Sequence, residues 1–184
     1  MRLKARSMVL IALFAALCAV GGRIVVPLGP VPFTLQFFFV GLAGLMLGAR
    51  DGALAIVVYA LVGLAGAPVF SFGGGPGSFA HPTFGFILGF IACAFTIGLL
   101  AGGSRSFVRC LLASFAGLAV LYICGVPWLW FVMNHVNGVA MPFAKALTAG
   151  CLIFLPMDSV KCVVLSLLGC AVNRRLSAAA GQSK

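Results

Sequence analysis

Two ionisable residues near the C-terminal end, Asp158 and Lys161, have the types and the spacing to bind a polar ligand. They are three residues apart, so on a helix both side chains lie on one face. A carboxylate accepts hydrogen bonds and an ammonium donates them, so the pair can hold a ligand that carries both kinds of group. Charged side chains at membrane depth are costly, and they are usually paired or functional. The pattern predicts the polar floor of a small-molecule site, with a structural ion pair as the alternative.

Aromatic and amide side chains elsewhere could complete such a site. Ligand pockets are mostly apolar and contain a few placed polar groups. The candidates for the apolar walls are Phe33, Phe70, Phe72 and Phe79. The candidates for the polar groups are Thr34 and Gln36. The glycine-rich segment 70–83 is expected to fold over an apolar ligand, or else to be a flexible connector.

The remaining polar residues do not predict an enzyme, a metal site or a nucleic-acid site. The two acids, Asp51 and Asp158, are expected on opposite sides of a membrane, and the two histidines, His81 and His135, stand alone in loops without metal-ligand spacing. The net charge of +10 comes from basic residues spread along the chain, without the dense patch that nucleic acids require. We therefore expect no catalytic residues and no bound metal.

The elements that must position these residues are membrane helices. The chain has 184 residues, of which 63% are hydrophobic and 8% charged, which is typical of an integral membrane protein. We expect one all-α domain with six transmembrane helices, at about 7–20, 35–47, 52–69, 84–100, 107–131 and 143–172. Asp51 is predicted to cap the third helix, and the sixth is predicted to break near Pro156. The tail at 173–184 is expected to be disordered from Ser177 onward.

The distribution of basic residues predicts the orientation. Six spans place both termini on one side, and nine of the twelve basic residues then fall on that side. Basic residues favour the cytoplasmic side, so both termini are predicted to be cytoplasmic. The loops at 21–34, 70–83 and 133–142, together with Asp158 and Lys161, then face outward.

Four segments resemble the BioY family, the biotin-specific substrate-binding (S) components of energy-coupling factor transporters. They are 28–36 (LGPVPFTLQ), 63–70 (GLAGAPVF), 81–86 (HPTFGF) and 154–161 (FLPMDSVK). The resemblance follows nearly the whole chain in order. Its most specific parts are PFTLQ and the Pro-x-Asp-x-x-Lys pattern.

The resemblance implies a six-helix fold in the bacterial cytoplasmic (inner) membrane, with biotin captured near the outer surface. Asp158 and Lys161 fall on ligand-contacting positions of the family. Ala12 and Ala16 in the first helix fall on the face that meets a transmembrane coupling (T) protein. That protein and paired cytoplasmic ATPases use ATP, so no cofactor is expected in this chain. A solitary carrier of biotin or a related vitamin is the alternative, and a membrane enzyme or assembly subunit is an alternative of another class.

One departure from the family leaves the head-group contacts open. The resemblance implies an Asn in or near the third loop that binds the ureido ring, but segment 70–81 contains no Asn. The candidates to replace it are Ser71, Ser78, His81, Asn134 and Asn137. Lys161 could meet the ligand carboxylate, or it could join Asp158 at the ureido ring.

Overall fold

A computed structural model describes residues 5–27 and 30–181, and for 176–181 the backbone alone. Six α-helices follow one another: α1 (Ala5–Arg23), α2 (Gln36–Leu64), α3 (Phe84–Ala101), α4 (Phe107–His135), α5 (Phe143–Leu147) and α6 (Leu155–Gly181). A 3₁₀ helix (Pro76–Ala80) precedes α3, and a π-helical segment (Thr148–Leu152) joins α5 to α6. Leu28, Gly29 and the terminal basic residues Arg2, Lys4 and Lys184 lie outside the described residues.

Among the residues that the structure describes, five helical stretches are long and apolar enough to cross a membrane. They are α1, α2, α3, α4 and the broken stretch Phe143–Arg175. The predicted all-helical membrane protein is confirmed at this level. The number differs from six because α2 contains both the second and the third predicted spans.

The chain reverses within α2, at Gly48. This residue has φ 82° and ψ −179°, outside the helical region and in a range that favours glycine. A Cβ on Gly52 would lie 2.9 Å from the carbonyl oxygen of Ala43, whereas nine residues of straight helix would separate them by about 13.5 Å. Residues 36–47 and 49–64 therefore pack against each other as a hairpin. Six crossings and cytoplasmic termini remain predictions.

Several boundaries differ from the sequence-based expectation. Gly48 ends the first helical segment, which makes Asp51 the third residue of the next helical segment, so the predicted N-cap position is wrong. The third predicted span ends at Leu64 and the fifth at His135. The last helix continues to Gly181, so the predicted disorder is wrong for residues 177–181.

The proline-rich segment after α1 forms a small hairpin of extended chain. Strands β1 (Val25–Val26) and β2 (Phe33–Thr34) pair antiparallel, with Val25 opposite Thr34 and Val26 opposite Phe33. Three prolines within six residues each lack a backbone N–H and restrict the residue before them, which disfavours helical geometry here. The prediction of non-helical chain at 21–34 is wrong for residues 21–23, which belong to α1, and is confirmed for residues 24–27 and 30–34. This hairpin is an exception to the all-α architecture.

Helix α3 is the central scaffold. In its apolar window 61% of the residues are buried, compared with 33% in each of the other four stretches. Small residues allow close packing against its neighbours: a Cβ on Gly98 would meet the backbone nitrogen of Ala49 at 2.3 Å, and one on Gly117 would meet Ile97 at 2.4 Å. These contacts hold the last turns of α3, and the first turn, which faces the site, is packed as closely, since a Cβ on Gly85 would meet the side chain of Trp128 at 2.1 Å.

Candidate ligand-binding site

A cavity lies between the first loop, the start of α3, the middle of α4 and the start of α6. Its empty space is about 590 Å³, including the part that opens to solvent. Its lining is mostly apolar, with a few polar side chains, as in small-molecule sites. The lining residues are Val31, Pro32, Phe33, Thr34, Gln36, Phe37, Ser71, Phe72, Thr83, Phe86, Ile87, Phe90, Leu121, Tyr122, Gly150, Phe154, Asp158 and Lys161.

The floor of the cavity is the predicted acid–base pair. Asp158 and Lys161 are 6% and 8% exposed, and Lys161 Nζ lies 2.7 Å from Asp158 Oδ1. Pro156 stands in the first turn of α6, where a missing N–H costs nothing. The pair therefore begins one helical turn into α6, with both side chains on one face as the spacing predicted.

Tyr122 completes the floor from α4. Its hydroxyl donates to Asp158 Oδ2 at 2.7 Å, so each carboxylate oxygen receives one charge-assisted hydrogen bond. Each oxygen retains further acceptor capacity for a donor on a ligand. The carboxylate is thus held in one orientation at the cavity surface.

Lys161 is engaged on every side in this conformation. Its Nζ donates to the carbonyl oxygen of Thr34 at 2.7 Å as well as to Asp158, and it lies 3.8 Å from the centroid of the Phe33 ring. An ammonium has three N–H donors, so two meet acceptors and the third is left to the face of the ring. Lys161 therefore ties α6 to the backbone of the first loop.

Gln36 joins the first loop to the end of α2. Its Nε2 donates to the hydroxyl of Tyr59 at 2.5 Å, and its Oε1 accepts from the hydroxyl of Thr34 at 3.1 Å. The Tyr59 hydroxyl in turn donates to the carbonyl oxygen of Val69 at 3.3 Å. Both predicted polar residues, Thr34 and Gln36, thus lie at the cavity and also fix the loops around it.

His81 supports the cavity wall from behind. Its ring stacks on Phe72, with centroids 3.8 Å apart and planes 8° apart, and Phe72 is the residue that faces the cavity. His81 Nδ1 lies 2.7 Å from Thr83 Oγ1. Partial burial lowers the pKa of His81 below its ordinary value, because the charged form loses solvation. The neutral ring is therefore favoured in this position.

The structure brings seven of the predicted binding residues to the cavity wall and leaves three away from it. The seven are Asp158, Lys161, Thr34, Gln36, Phe33, Phe72 and Ser71. The other three are Ser78, Phe79 and His81. Ser78 is buried, and its Oγ has no hydrogen-bond partner among the described residues. Phe79 is 51% exposed and packs on Phe84.

The two asparagines considered as replacements for the absent third-loop Asn do not face the cavity. Asn134 makes hydrogen bonds with the backbone of Met141 in both directions, at 3.0 Å each. Asn137 is exposed and bonds the sulfur of Met133. Neither lies in the cavity wall, because both side chains hold the segment that follows α4. Ser71 is the remaining candidate that faces the cavity.

Sequence reasoning missed Tyr122 and the aromatic residues Phe86, Phe90 and Phe154 of the cavity wall. The chain has two tyrosines, and each lies inside a long apolar helix. A hydroxyl at membrane depth needs a partner, so this placement was a usable signal for Tyr122. The phenylalanines carry no such signal, since seventeen are spread over the chain.

A buried polar cluster in an aromatic cavity, enclosed by apolar helices, defines a multi-span membrane protein with a site for a small, partly apolar ligand. The BioY family model matches residues 1–178. The chain belongs to the BioY family.

Individual proteins agree with this membership. The biotin transporter BioY of Thermotoga maritima is 42% identical over 171 residues, which cover 92% of this chain and 96% of the relative. The probable biotin transporter BioY of Pyrococcus horikoshii is 42% identical over 160 residues, covering 86% and 91%. A crystal structure of the S-component for biotin from an ECF-type ABC transporter has a TM-score of 0.69 at 23% identity, covering 94% and 95%, and shows the shared fold.

Proposed function

We propose that this chain captures biotin in the described cavity and mediates its uptake across the membrane, and that it is a transporter subunit, not an enzyme. The observation that carries the proposal is the Asp158–Lys161–Tyr122 cluster at the floor of an otherwise apolar cavity. Support also comes from relatives that are named biotin transporters. Biotin has a polar ureido ring, an apolar sulfur ring and an acid at the end of an alkyl chain, which suits such a cavity.

Asp158 is the group that we assign to the ureido ring. Its two oxygens each receive one donor from the protein and keep acceptor capacity toward the cavity, where the ring N–H groups can donate. Lys161 neutralises the carboxylate and holds it in place, since its own donors are already engaged by Asp158, Thr34 and the Phe33 ring. The sulfur ring and the alkyl chain then contact Phe86, Phe90 and the other aromatic walls.

We further propose that the chain acts as the S component of an energy-coupling factor transporter, in the cytoplasmic membrane and with both termini in the cytoplasm. Ala12 and Ala16 are exposed on α1, so they are free to meet a coupling protein in the membrane. Small residues at this spacing allow close approach of another helix. ATP hydrolysis then belongs to the partner ATPases.

Binding of labelled biotin to the purified chain tests the site. Asp158→Asn removes the charged acceptor assigned to the ureido ring, and Lys161→Ala removes the cation that holds this acceptor in place. A hydrogen bond to a charged group contributes about 1.5–3 kcal/mol, so we expect affinity to fall by about tenfold or more. Ser159→Ala, on the same helical turn but exposed, is the matched control and should bind normally. Normal affinity in both site variants would reduce the pair to a structural brace. Binding of a related vitamin in place of biotin would overturn the substrate.

Uptake by cells tests the partnership. Labelled biotin uptake is measured in cells that express this chain with or without a coupling protein and its ATPases. Uptake that depends on the coupling proteins supports an S component. Equal uptake by the chain alone would instead establish a solitary carrier and overturn the assignment to an energy-coupling factor transporter, while leaving the biotin site intact.

A further inference from the structure

A second recess lies at the far end of α3, away from the ligand cavity. The 18 residues of α3 extend over about 27 Å, from the cavity to the short loop 102–106. Beyond that loop, the first turns of α4 form a shallow groove with the last turn of α3. Its lining residues are Leu100, Ser106, Val108, Arg109, Leu112 and Ala113.

The groove combines outward-facing apolar side chains with one fixed cation. Val108 and Leu112 are 62% and 65% exposed, and Leu100 lies beside them. Arg109 Nε donates to the carbonyl oxygen of Leu100 at 2.6 Å, which anchors the guanidinium at the edge of the groove. Its two terminal amino groups have no hydrogen-bond partner in the part of the chain that the structure describes. A planar guanidinium with free donors matches the oxygens of a phosphate.

The end of the molecule that holds the groove is basic. The basic residues Arg105, Arg174 and Arg175 lie at the same end of the molecule, since the side chain of Arg174 bonds the carbonyl oxygen of Arg105. None of these arginines forms an ion pair within residues 5–27 and 30–175, where the ion pair present is that of Lys161 with Asp158. Basic recesses between membrane helices are suited to anionic head groups.

We propose that this groove binds one anionic phospholipid, whose phosphate meets Arg109 and whose acyl chain runs along Val108 and Leu112. A lipid satisfies both halves of the groove at once, because the charged head and the apolar chain are covalently joined. A free phosphate would satisfy Arg109 alone and leave the apolar wall without a partner. The site is separate from the ligand cavity and does not depend on what that cavity binds.

Native mass spectrometry of the detergent-purified full chain, titrated with dioleoyl phosphatidylglycerol, tests the proposal. Phosphatidylcholine with the same chains and glycerol phosphate without chains are the comparison ligands. We expect Arg109→Gln to lower the affinity for phosphatidylglycerol about tenfold, because the change removes hydrogen bonds to a charged group. Leu112→Trp fills the groove without changing any charge, and tryptophan is well tolerated at membrane interfaces. It should lower the phosphatidylglycerol affinity by a similar factor.

Arg175→Gln is the control for charge alone, and its affinity should stay within about twofold of the unmodified chain. Melting temperatures in lipid-free detergent show whether each variant is folded. If Arg109→Gln is not folded, the test rests on Leu112→Trp. The proposal is overturned if both groove variants bind phosphatidylglycerol normally, or if Arg175→Gln loses as much affinity. It is also overturned if glycerol phosphate competes as well as the lipid, or if Arg109→Gln keeps the lipid but loses a coupling protein.

Discussion

Replacing Tyr122 by phenylalanine isolates one hydrogen bond at the floor of the cavity. The change removes the hydroxyl that donates to Asp158 Oδ2 at 2.7 Å and keeps the ring that lines the wall. A hydrogen bond to a charged group contributes about 1.5–3 kcal/mol. We therefore expect biotin affinity to fall by about 10- to 150-fold.

Affinity should change more than stability. The cavity is partly open, so water can replace the lost donor while the site is empty, but a bound ligand excludes that water and leaves the carboxylate with one donor fewer. Biotin binding is measured by isothermal titration on the purified chain. Ser114→Ala is the matched control, because it also removes a buried hydroxyl from α4, one that pairs with Ser166 away from the cavity. Ser114→Ala should lower the melting temperature and leave affinity unchanged.

A double-mutant cycle shows whether Tyr122 acts through Asp158. If it positions that carboxylate, Tyr122→Phe should have little further effect in an Asp158→Asn background, since neighbours that share a hydrogen bond are not additive. The positioning role of Tyr122 is refuted if Tyr122→Phe binds biotin as tightly as the unmodified chain. It also fails if the two effects add in full.

Two other outcomes follow from packing and from protonation. Gly98→Ala should lower stability by about 1–3 kcal/mol, because the added Cβ would meet the backbone of Ala49, whereas Gly77→Ala has open space and should be silent in the same detergent melting assay. Since burial lowers the pKa of His81, the unfolded state binds its proton more readily, so this contribution to stability is present above about pH 6.5 and declines as pH falls below it. His81→Phe keeps a ring against Phe72 and should flatten that part of the profile of melting temperature against pH; an unchanged profile would assign the dependence to other groups.

The local parts of the site could be predicted because helical spacing and chain chemistry determine them. Asp158 and Lys161 are three residues apart, so their common face needed no tertiary information. The prolines between α1 and α2 predict extended chain, and the apolar composition predicts membrane helices. These features depend on neighbours within one or two turns, which a single sequence displays directly.

The distant parts of the site could not be predicted in the same way. Tyr122 is 36 residues from Asp158, and Thr34 is 127 residues from Lys161. Which of these groups meet depends on how α4, α6 and the first loop pack, and many arrangements share the same hydrophobic pattern. The stacking of His81 behind Phe72, away from the cavity wall, is another result of this packing.

The sequence by itself determined the class of protein, its family and the acid–base pair that it places in a helix. Tertiary structure decided what surrounds that pair: the tyrosine on its second oxygen, the loop carbonyl and aromatic ring on its lysine, and the reversal at Gly48 that joins two predicted spans. The physical reason is that a buried charge is costly unless it has partners, but this cost does not determine which side chains those partners are. Only the packed helices determine which side chains come within hydrogen-bonding distance.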